Sequence, residues 1–349
     1  MISAAFAIPG DIELSTGGYM YDRRVLALLA QLGVAMRHLQ LPGSFPDPSA
    51  ADLDEAGRLL AAVAPGDVLM VDGLAYGAMP AEVIERARAP IVALVHHPLC
   101  LEAGLAKARQ DALHALEKAA LALARRVVVT SHATGRTLVA DFAVPADTVT
   151  VAEPGTDPAP RATGSGAGPL ELLSVGAIVP RKAYDILVRA LGTLKDQDWR
   201  LTIAGPTDRS PEALAAVRVA IGEAGLADRI ALVGPVNQER LADLYASADV
   251  FLLASLYEGY GMVLAEAMAR GLPIVCTTGG AAAETVPDDA AIKVPPGDER
   301  AFTLAVQRVL QDAGLRRRMA DASWAASQKL PRWEDTARII AGVIKEVAP

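Results

Sequence analysis

The chain has little cysteine, few aromatic residues, no excess of basic charge and no long uncharged apolar run. Each shortage removes a class of protein. Two cysteines, Cys100 and Cys276, cannot build a disulfide framework or a four-thiolate zinc site, and Cys276 sits in an apolar run as a small core residue. Aromatic residues make up 4% of 349 positions, which leaves few platforms for stacking single-stranded bases. A formal net charge of −8 argues against a nucleic-acid partner, which calls for a basic balance or patch. No uncharged apolar stretch reaches the roughly 18 residues that a membrane-crossing helix needs. Residues 1–10 carry no basic leader and their apolar run stops at Pro9-Gly10, so they read as a first strand rather than a signal peptide, which predicts a cytoplasmic protein. Gly-x-Ser-x-Gly, P-loop and His-Glu-x-x-His motifs are absent as well.

What is present is apolar sequence in short runs. Hydrophobic residues account for 52% of the chain, enough for two cores at this length. In the first half, strand candidates at 2–8, 34–41, 68–71, 91–95, 127–130 and 149–151 alternate with helical stretches near 18–32, 52–64, 79–88, 101–125 and 132–141. The second half repeats the alternation, with strands at 170–175, 199–204, 230–233, 250–253, 274–276 and 291–294. Its helices fall near 183–195, 211–224, 237–247, 261–270 and 299–312. Such alternation predicts parallel sheets covered by helices on both faces. Between the halves, residues 154–169 are rich in Pro, Gly and Ser, and 158–169 read as a linker. The expected domains are therefore 1–157 and 170–331, two similar α/β units with a ligand cleft between them, followed by a helical tail.

Residues 255–278 carry the densest chemistry. The apolar run Val250–Leu253 ends in the loop Glu258-Gly259-Tyr260-Gly261, after which Met262, Leu264, Ala265 and Met268 recur at helical spacing until Gly271. A glycine loop leading into a helix, at the carboxyl end of a parallel strand, suits a phosphate, because unpaired amides and the positive end of the helix dipole meet there. Glu258 and Glu266 flank that site. Being acids, they suit the neutral hydroxyls of a sugar or ribose better than the phosphate. A second loop, Val175 to Asp185, places Arg181 and Lys182 at another strand's carboxyl end, where both suit phosphate oxygens.

Glu258, seven intervening residues, Glu266 and the following Ala-Met-Ala-x-Gly-x-Pro-Ile-Val resemble the signature of retaining GT-B glycosyltransferases of family 4 (group 1). The resemblance covers much of the second half and extends more thinly over the first. It implies the GT-B fold: two Rossmann-like domains facing a central cleft, with a last helix, about 332–349, crossing back onto the N-terminal domain. It implies transfer of a hexose from a UDP-hexose or GDP-mannose to an acceptor hydroxyl, with retention of configuration and without a metal or other cofactor. Under it, His96, Arg181, Lys182 and Glu258 are the catalytic set. Glu266 takes the ribose, and Gly259, Tyr260, Gly261, Met262 and Val263 the donor's phosphate and sugar. Gly205-Pro206 lies near the diphosphate, and Val233, Gly234 and Val236 hold the base through backbone groups. Gly17 and Gly18 form the Gly-Gly loop of the first domain. The match is imperfect in the loop after the first strand of the second domain: the family's Arg position is Ala177 and its Gly position is Ala183.

His97, Tyr19, His132 and Arg136 are expected on the acceptor side, with Ser131 capping the helix that carries the last two. The acceptor itself is left open among a sugar, a lipid, a growing glycan and a small molecule. Leu101, Leu105, Ala112, Leu116 and Leu123 are expected on one face of a helix over 101–125, which either covers the domain or touches the inner face of an anionic membrane. Asp52-Leu53-Asp54 and Asp196-Gln197-Asp198 resemble metal-holding triplets but sit at a helix start and a helix-end turn. Two rival activities share the sequence features: a nucleotide-sugar-binding protein without catalysis, and a sugar-nucleotide epimerase.

Overall fold

The structure, a computed structural model, describes residues 1–14 and 16–349, so Ser15 at the start of the Gly-Gly loop lies outside the described residues. The chain divides into two compact units, Met1–Gly155 with Pro331–Pro349, and Thr156–Leu330.

The first unit is built on β1 (Ile2–Pro9), β2 (Val34–Leu41), β3 (Val68–Asp72), β4 (Ile91–Val95), β5 (Arg126–Val129) and β6 (Val149–Val151), all parallel in the order β2-β1-β3-β4-β5-β6. β3 and β4 are buried along their whole length, which is why they read as continuous apolar runs rather than alternating ones. β2, at the edge, buries only Val34 and Leu41. The helix Gly17–Leu29 begins at Thr16, whose hydroxyl accepts from the Tyr19 amide, and buries Tyr21, Asp22, Val25 and Leu29. The helix Ala50–Ala61 opens on a capping box between Ser49 and Asp52, so the first Asp-x-Asp triplet supplies a helix cap.

Two expected helices come out differently. The stretch 79–88 holds only the turn Ala81–Ile84, because Pro80 starts it and Pro90 disfavours helical backbone at the residue before it. A further turn, Gly73–Tyr76, follows β3, capped by Asp72. The helix expected over 101–125 runs only Lys107–Leu121, since Gly104 at φ 86° breaks the chain before it. Its buried side is Leu113, Glu117, Ala120 and Leu121; Ala112 is exposed, and Leu101, Leu105 and Leu123 lie outside the helix. The expected amphipathic face therefore does not exist as one helical surface.

The second unit repeats the plan with β7 (Leu170–Val175), β8 (Trp199–Ala204), β9 (Ile230–Gly234), β10 (Val250–Leu253), β11 (Ile274–Thr277) and β12 (Ala291–Val294), again all parallel, in the order β12-β11-β10-β7-β8-β9. Trp199, Leu187, Leu191, Phe302, Val306 and Val309 fill one face of the sheet; Phe251, Tyr245, Leu264, Met268 and Ile274 fill the other. β7 and β10 are neighbours although the chain leaves them toward opposite edges, and such a switch point opens a crevice at their carboxyl ends. In the first unit the switch falls between β1 and β3.

The Pro/Gly/Ser-rich stretch is fastened along the second unit. The Ala162 amide donates to the Arg270 carbonyl (2.8 Å), the Thr163 amide to the Ala246 carbonyl (2.8 Å), and the Asp249 carboxylate accepts from the amides of Ser165 and Glu171. Composition shows that such a segment builds no core; it does not show which carbonyls its amides will find. The tail splits at Pro331 into helices Ala313–Ser327 and Trp333–Val347, and the latter belongs to the first unit. There Trp333 meets Tyr21 edge-on at 5.8 Å and the Thr336 hydroxyl donates to the Glu153 carbonyl (2.6 Å).

Candidate active site

In the second unit, the loop after β7 makes a tight turn, Pro180–Lys182, that ends with Ala183 in the left-handed region (φ 48°) before the helix Tyr184–Gly192. This turn throws Arg181 and Lys182 across the switch point onto the loop after β10. Lys182 Nζ donates to Glu258 Oε1 at 2.6 Å, and Arg181 Nη1 lies 3.3 Å from Glu258 Oε2. The Arg181 guanidinium also donates to the Tyr257 carbonyl (2.7 Å), and its own carbonyl accepts from the Leu256 amide (2.8 Å). Lys182 and Glu258 are both buried, 8% and 6% exposed. Burial alone would raise the Glu258 pKa, but the Lys182 and Arg181 charges outweigh it and hold the carboxyl down at about 2.

The position of Glu258 is set from a third loop. Its amide donates to the Gly279 carbonyl (3.1 Å) and its carbonyl accepts from the Ala281 amide (2.8 Å), so Glu258 runs as a short bridge beside Gly280. A Cβ on Gly279 would run into the Leu256 carbonyl, and one on Gly280 into the Glu258 carbonyl. Sequence reading stopped at Thr278 and missed this pair, although two glycines after a buried strand were there to be read.

Ala183 explains one departure from the family pattern. Where the resembling enzymes carry Gly, this backbone is left-handed, and a Cβ is disfavoured there. Ala183→Gly is expected to leave the fold unchanged and shift chemical unfolding by no more than about 1 kcal/mol in the stabilising direction, relief of strain exceeding the entropy cost of glycine.

The helix Met262–Ala269 begins at Gly261 (φ 90°), and its first amides have no partner one turn back. Glu266, on the same helix, accepts from the Tyr245 hydroxyl at 2.8 Å; Tyr245 is buried and stacked on Phe251. Burial raises the Glu266 pKa, while the Tyr245 hydrogen bond and the Arg270 charge oppose it. Gly259 and Tyr260 bridge the two glutamates in sequence, the Tyr260 carbonyl accepting from the Thr285 hydroxyl (2.5 Å). The ends of β7, β8 and β9 are laced together: the Gly176 amide donates to Ala204, Ile178 to Pro206, and Gly205 to Gly234. Val233 beside them is 40% exposed. Ala177, where the family's Arg is missing, follows Gly176 in this lacing.

In the first unit, the helix Gly17–Leu29 and the end of β3 converge on His96, which follows β4. Its Nε2 lies 3.3 Å from Asp22 Oδ1 and 3.4 Å from Asp72 Oδ2, and its ring meets Tyr21 edge-on at 5.2 Å. Gly18 lets the imidazole lie against the helix start, since a Cβ there would be 3.3 Å from its Cδ2. Asp22 and Asp72 were not singled out in sequence: Asp22 is hidden inside an amphipathic helix and Asp72 sits one residue beyond the expected end of its strand. Among the described residues these three form one group whose ligand atoms, all within 4.8 Å, could hold a metal ion.

His97 turns elsewhere, its Nε2 3.3 Å from Glu102 Oε2. Tyr19 is buried with its hydroxyl donated to the Pro9 carbonyl (2.5 Å). His132 and Arg136 are exposed on one side of the helix His132–Asp141, which Ser131 caps as expected.

Two sheets of this order, each with its loops gathered at a switch point and a buried Lys–Glu pair in the second, define the GT-B class of glycosyltransferase fold. Sucrose-phosphate synthase from Thermosynechococcus elongatus superposes with a TM-score of 0.84 at 21% identity, over 99% of either chain. Anabaena HepE in complex with UDP-glucose gives 0.79 at 16% identity, over 99% of this chain and 100% of that one. The family described as Glycosyltransferase Family 4 matches residues 37–160, and that described as Glycosyl transferases group 1 matches residues 169–312. The chain belongs to this family, the family 4 (group 1) glycosyltransferases. A D-inositol 3-phosphate glycosyltransferase from Xylanimonas cellulosilytica is 33% identical over 173 residues, 49% of this chain and 41% of that protein. The matched region thus spans well under two thirds of that relative. No helix among the described residues is long and apolar enough to cross a membrane.

Proposed function

We propose that the protein transfers a hexose from a nucleotide-sugar, a UDP-hexose or GDP-mannose, to an acceptor hydroxyl with retention of configuration. The observation that carries this is the buried cluster of Lys182, Arg181 and Glu258 at the second unit's switch point, with Glu266 eight residues further on. HepE, which shares the fold, holds UDP-glucose, in keeping with a nucleotide-sugar donor.

When the glycosidic bond to the diphosphate breaks, negative charge develops on the leaving phosphate. Lys182 and the amides of Gly261, Met262 and Val263 are assigned to that charge, and Arg181 holds Glu258 and its loop while adding its own field. Glu258, ionised down to about pH 2, is a hydrogen-bond acceptor for a sugar hydroxyl rather than an acid. Glu266, oriented by Tyr245, takes the ribose; Gly205, Pro206, Val233, Gly234 and Val236 take the diphosphate edge and base. The Gly17-Gly18 loop and His96 of the first unit contact substrate oxygens, and His97, Tyr19, His132 and Arg136 belong to the acceptor's side. The departing phosphate receives the acceptor's proton, so no dedicated base is required. The residues supply leaving-group stabilisation without a metal.

The test is thermal shift and calorimetry with UDP, GDP, UDP-glucose and GDP-mannose, followed by product analysis with and without simple alcohol acceptors. An α-configured product from an α-donor is expected, with slow hydrolysis when acceptor is omitted. Binding without any turnover would leave a nucleotide-sugar-binding protein, and an altered free sugar nucleotide would mark an epimerase. Glu266→Ala is expected to weaken nucleoside diphosphate binding by about 10-fold, the value of one charge-assisted hydrogen bond of roughly 1.5 kcal/mol. Calorimetry with UDP and GDP reads it directly.

A further inference from the structure

The buried group around His96 has a consequence for the reaction that rests on the transferase reading. Asp22 is wholly buried and neither of its carboxylate oxygens makes a well-formed hydrogen bond; His96 Nε2 lies 3.3 Å from its Oδ1. Asp72, 2% exposed, spends Oδ1 on the Leu74 amide (2.8 Å) and turns Oδ2 to the same Nε2 at 3.4 Å. A lone pair on Nε2 cannot face two carboxylates, so that nitrogen carries a proton. The edge of Tyr21 and the backbone of Gly18, both uncharged, also lie against the ring, and the Thr130 hydroxyl donates to the His96 backbone carbonyl (3.1 Å). The Arg23 charge also acts on the group and favours the ionised form of Asp22. Two buried acids against one imidazole make an uncompensated charge unless the ring is cationic. Both carboxylates approach the ring at Nε2, while 22% of the side chain remains exposed.

We propose that Asp22 and Asp72 are positioning residues that keep His96 doubly protonated at neutral pH, so that its Nδ1–H is a permanent cationic donor to a substrate oxygen and the ring never acts as a base. The proton order agrees. Burial would lower the His96 pKa, but the two carboxylates beside Nε2 lift it to about 10. Burial, partly offset by His96, raises Asp22 to about 7. As pH rises, Asp22 therefore gives up its proton first and the imidazolium persists.

The test is the ring-nitrogen spectrum of the full ¹⁵N-labelled chain, with His96→Gln assigning the resonance among five histidines. In the native chain both His96 nitrogens are expected at imidazolium positions at pH 7.5. Asp72→Asn and Asp22→Asn are each expected to lower the ring's titration midpoint by about one unit or more. With UDP-glucose or GDP-mannose as donor, Asp72→Asn is expected to lose roughly 10-fold more kcat at pH 8.5 than at pH 6, with KM nearly unchanged. A purely structural role would lower activity equally at both pH values. A neutral ring at pH 7.5, folded Asn variants with an unmoved midpoint, or a stoichiometric divalent ion retained by the native chain and lost in both variants would each overturn the proposal. If Asp22→Asn does not fold, Asp72→Asn decides alone. If neither donor binds or reacts, the transferase reading fails, and the spectrum still decides the state of His96.

Discussion

Lys182→Met is expected to cost about 3–5 kcal/mol of stability at pH 7, because it leaves Glu258 as a buried carboxylate without its principal partner. The pH dependence gives the result a sign. Glu258 has its folded pKa depressed to about 2 from an ordinary 4.5, so its stabilising contribution is full above about pH 4.5 and is lost as pH falls through 2. In the variant the carboxylate pKa rises, the neutral form becomes the comfortable one, and the deficit against the native chain narrows in acid. Urea unfolding at pH 7 and at pH 3.5 measures both ends. A deficit equal at the two values would show that packing of the lysine stem, not its charge, is what the pair supplies. Donor turnover by the surviving folded protein is expected to fall by a factor on the order of 10²–10³, the loss of one preorganised group on the leaving phosphate.

Gly279→Ala should also be damaging, though less so, without touching any charged group. A Cβ there collides with the Leu256 carbonyl, a backbone atom that cannot swing aside. The loop carrying Tyr257 and Glu258 must move, at a cost of about 1–3 kcal/mol by comparison with other overpacked sites. The same shift pulls Glu258 away from Lys182 Nζ. Chemical unfolding and donor turnover are therefore expected to fall together. A variant that loses stability and keeps full turnover would show that the Gly279 contact supports the fold without aligning the carboxylate. Gly297→Ala is a control for left-handed glycine in the same unit, since its φ is 77° but its nearest neighbour is a flexible Leu256 methyl at 4.0 Å. It should cost stability through backbone strain alone.

Much of this arrangement was legible in the sequence because it depends on local pattern. Short apolar runs such as Val250–Leu253 mark strands buried on both faces, and a glycine such as Gly261, at the end of its loop, marks where the backbone turns left-handed. Lys182, Glu258 and Gly261 could be placed at strand ends from spacing alone. Contacts set by tertiary structure were not legible. Asp22 looks like a polar position on an amphipathic helix until β3 and β4 are laid beside it. Glu117 looks like a solvated residue on a charged helix, yet it is buried, accepts from the Leu99 amide (2.9 Å), and is raised by burial to a pKa of about 8. The apolar face drawn across 101–125 failed for a local reason, Gly104, whose positive φ a periodicity count does not register. Arg181 was read as a phosphate-gripping cation; the sequence could not show that its guanidinium also ties down the Tyr257 carbonyl and Glu258.

The return of Trp333–Val347 to the first unit makes that unit discontinuous in the chain, while the second is one unbroken stretch. Ala337, Ile340, Ala341 and Ile344 are core residues of the first unit supplied from the far end of the sequence. A fragment ending near residue 155 would expose the surface they cover and should aggregate, whereas residues 156–330 retain every apolar partner of their own sheet. Dissection of the two halves is therefore asymmetric. Nascent first-unit chain must also wait, partly uncovered, until the ribosome has made residues 331–349.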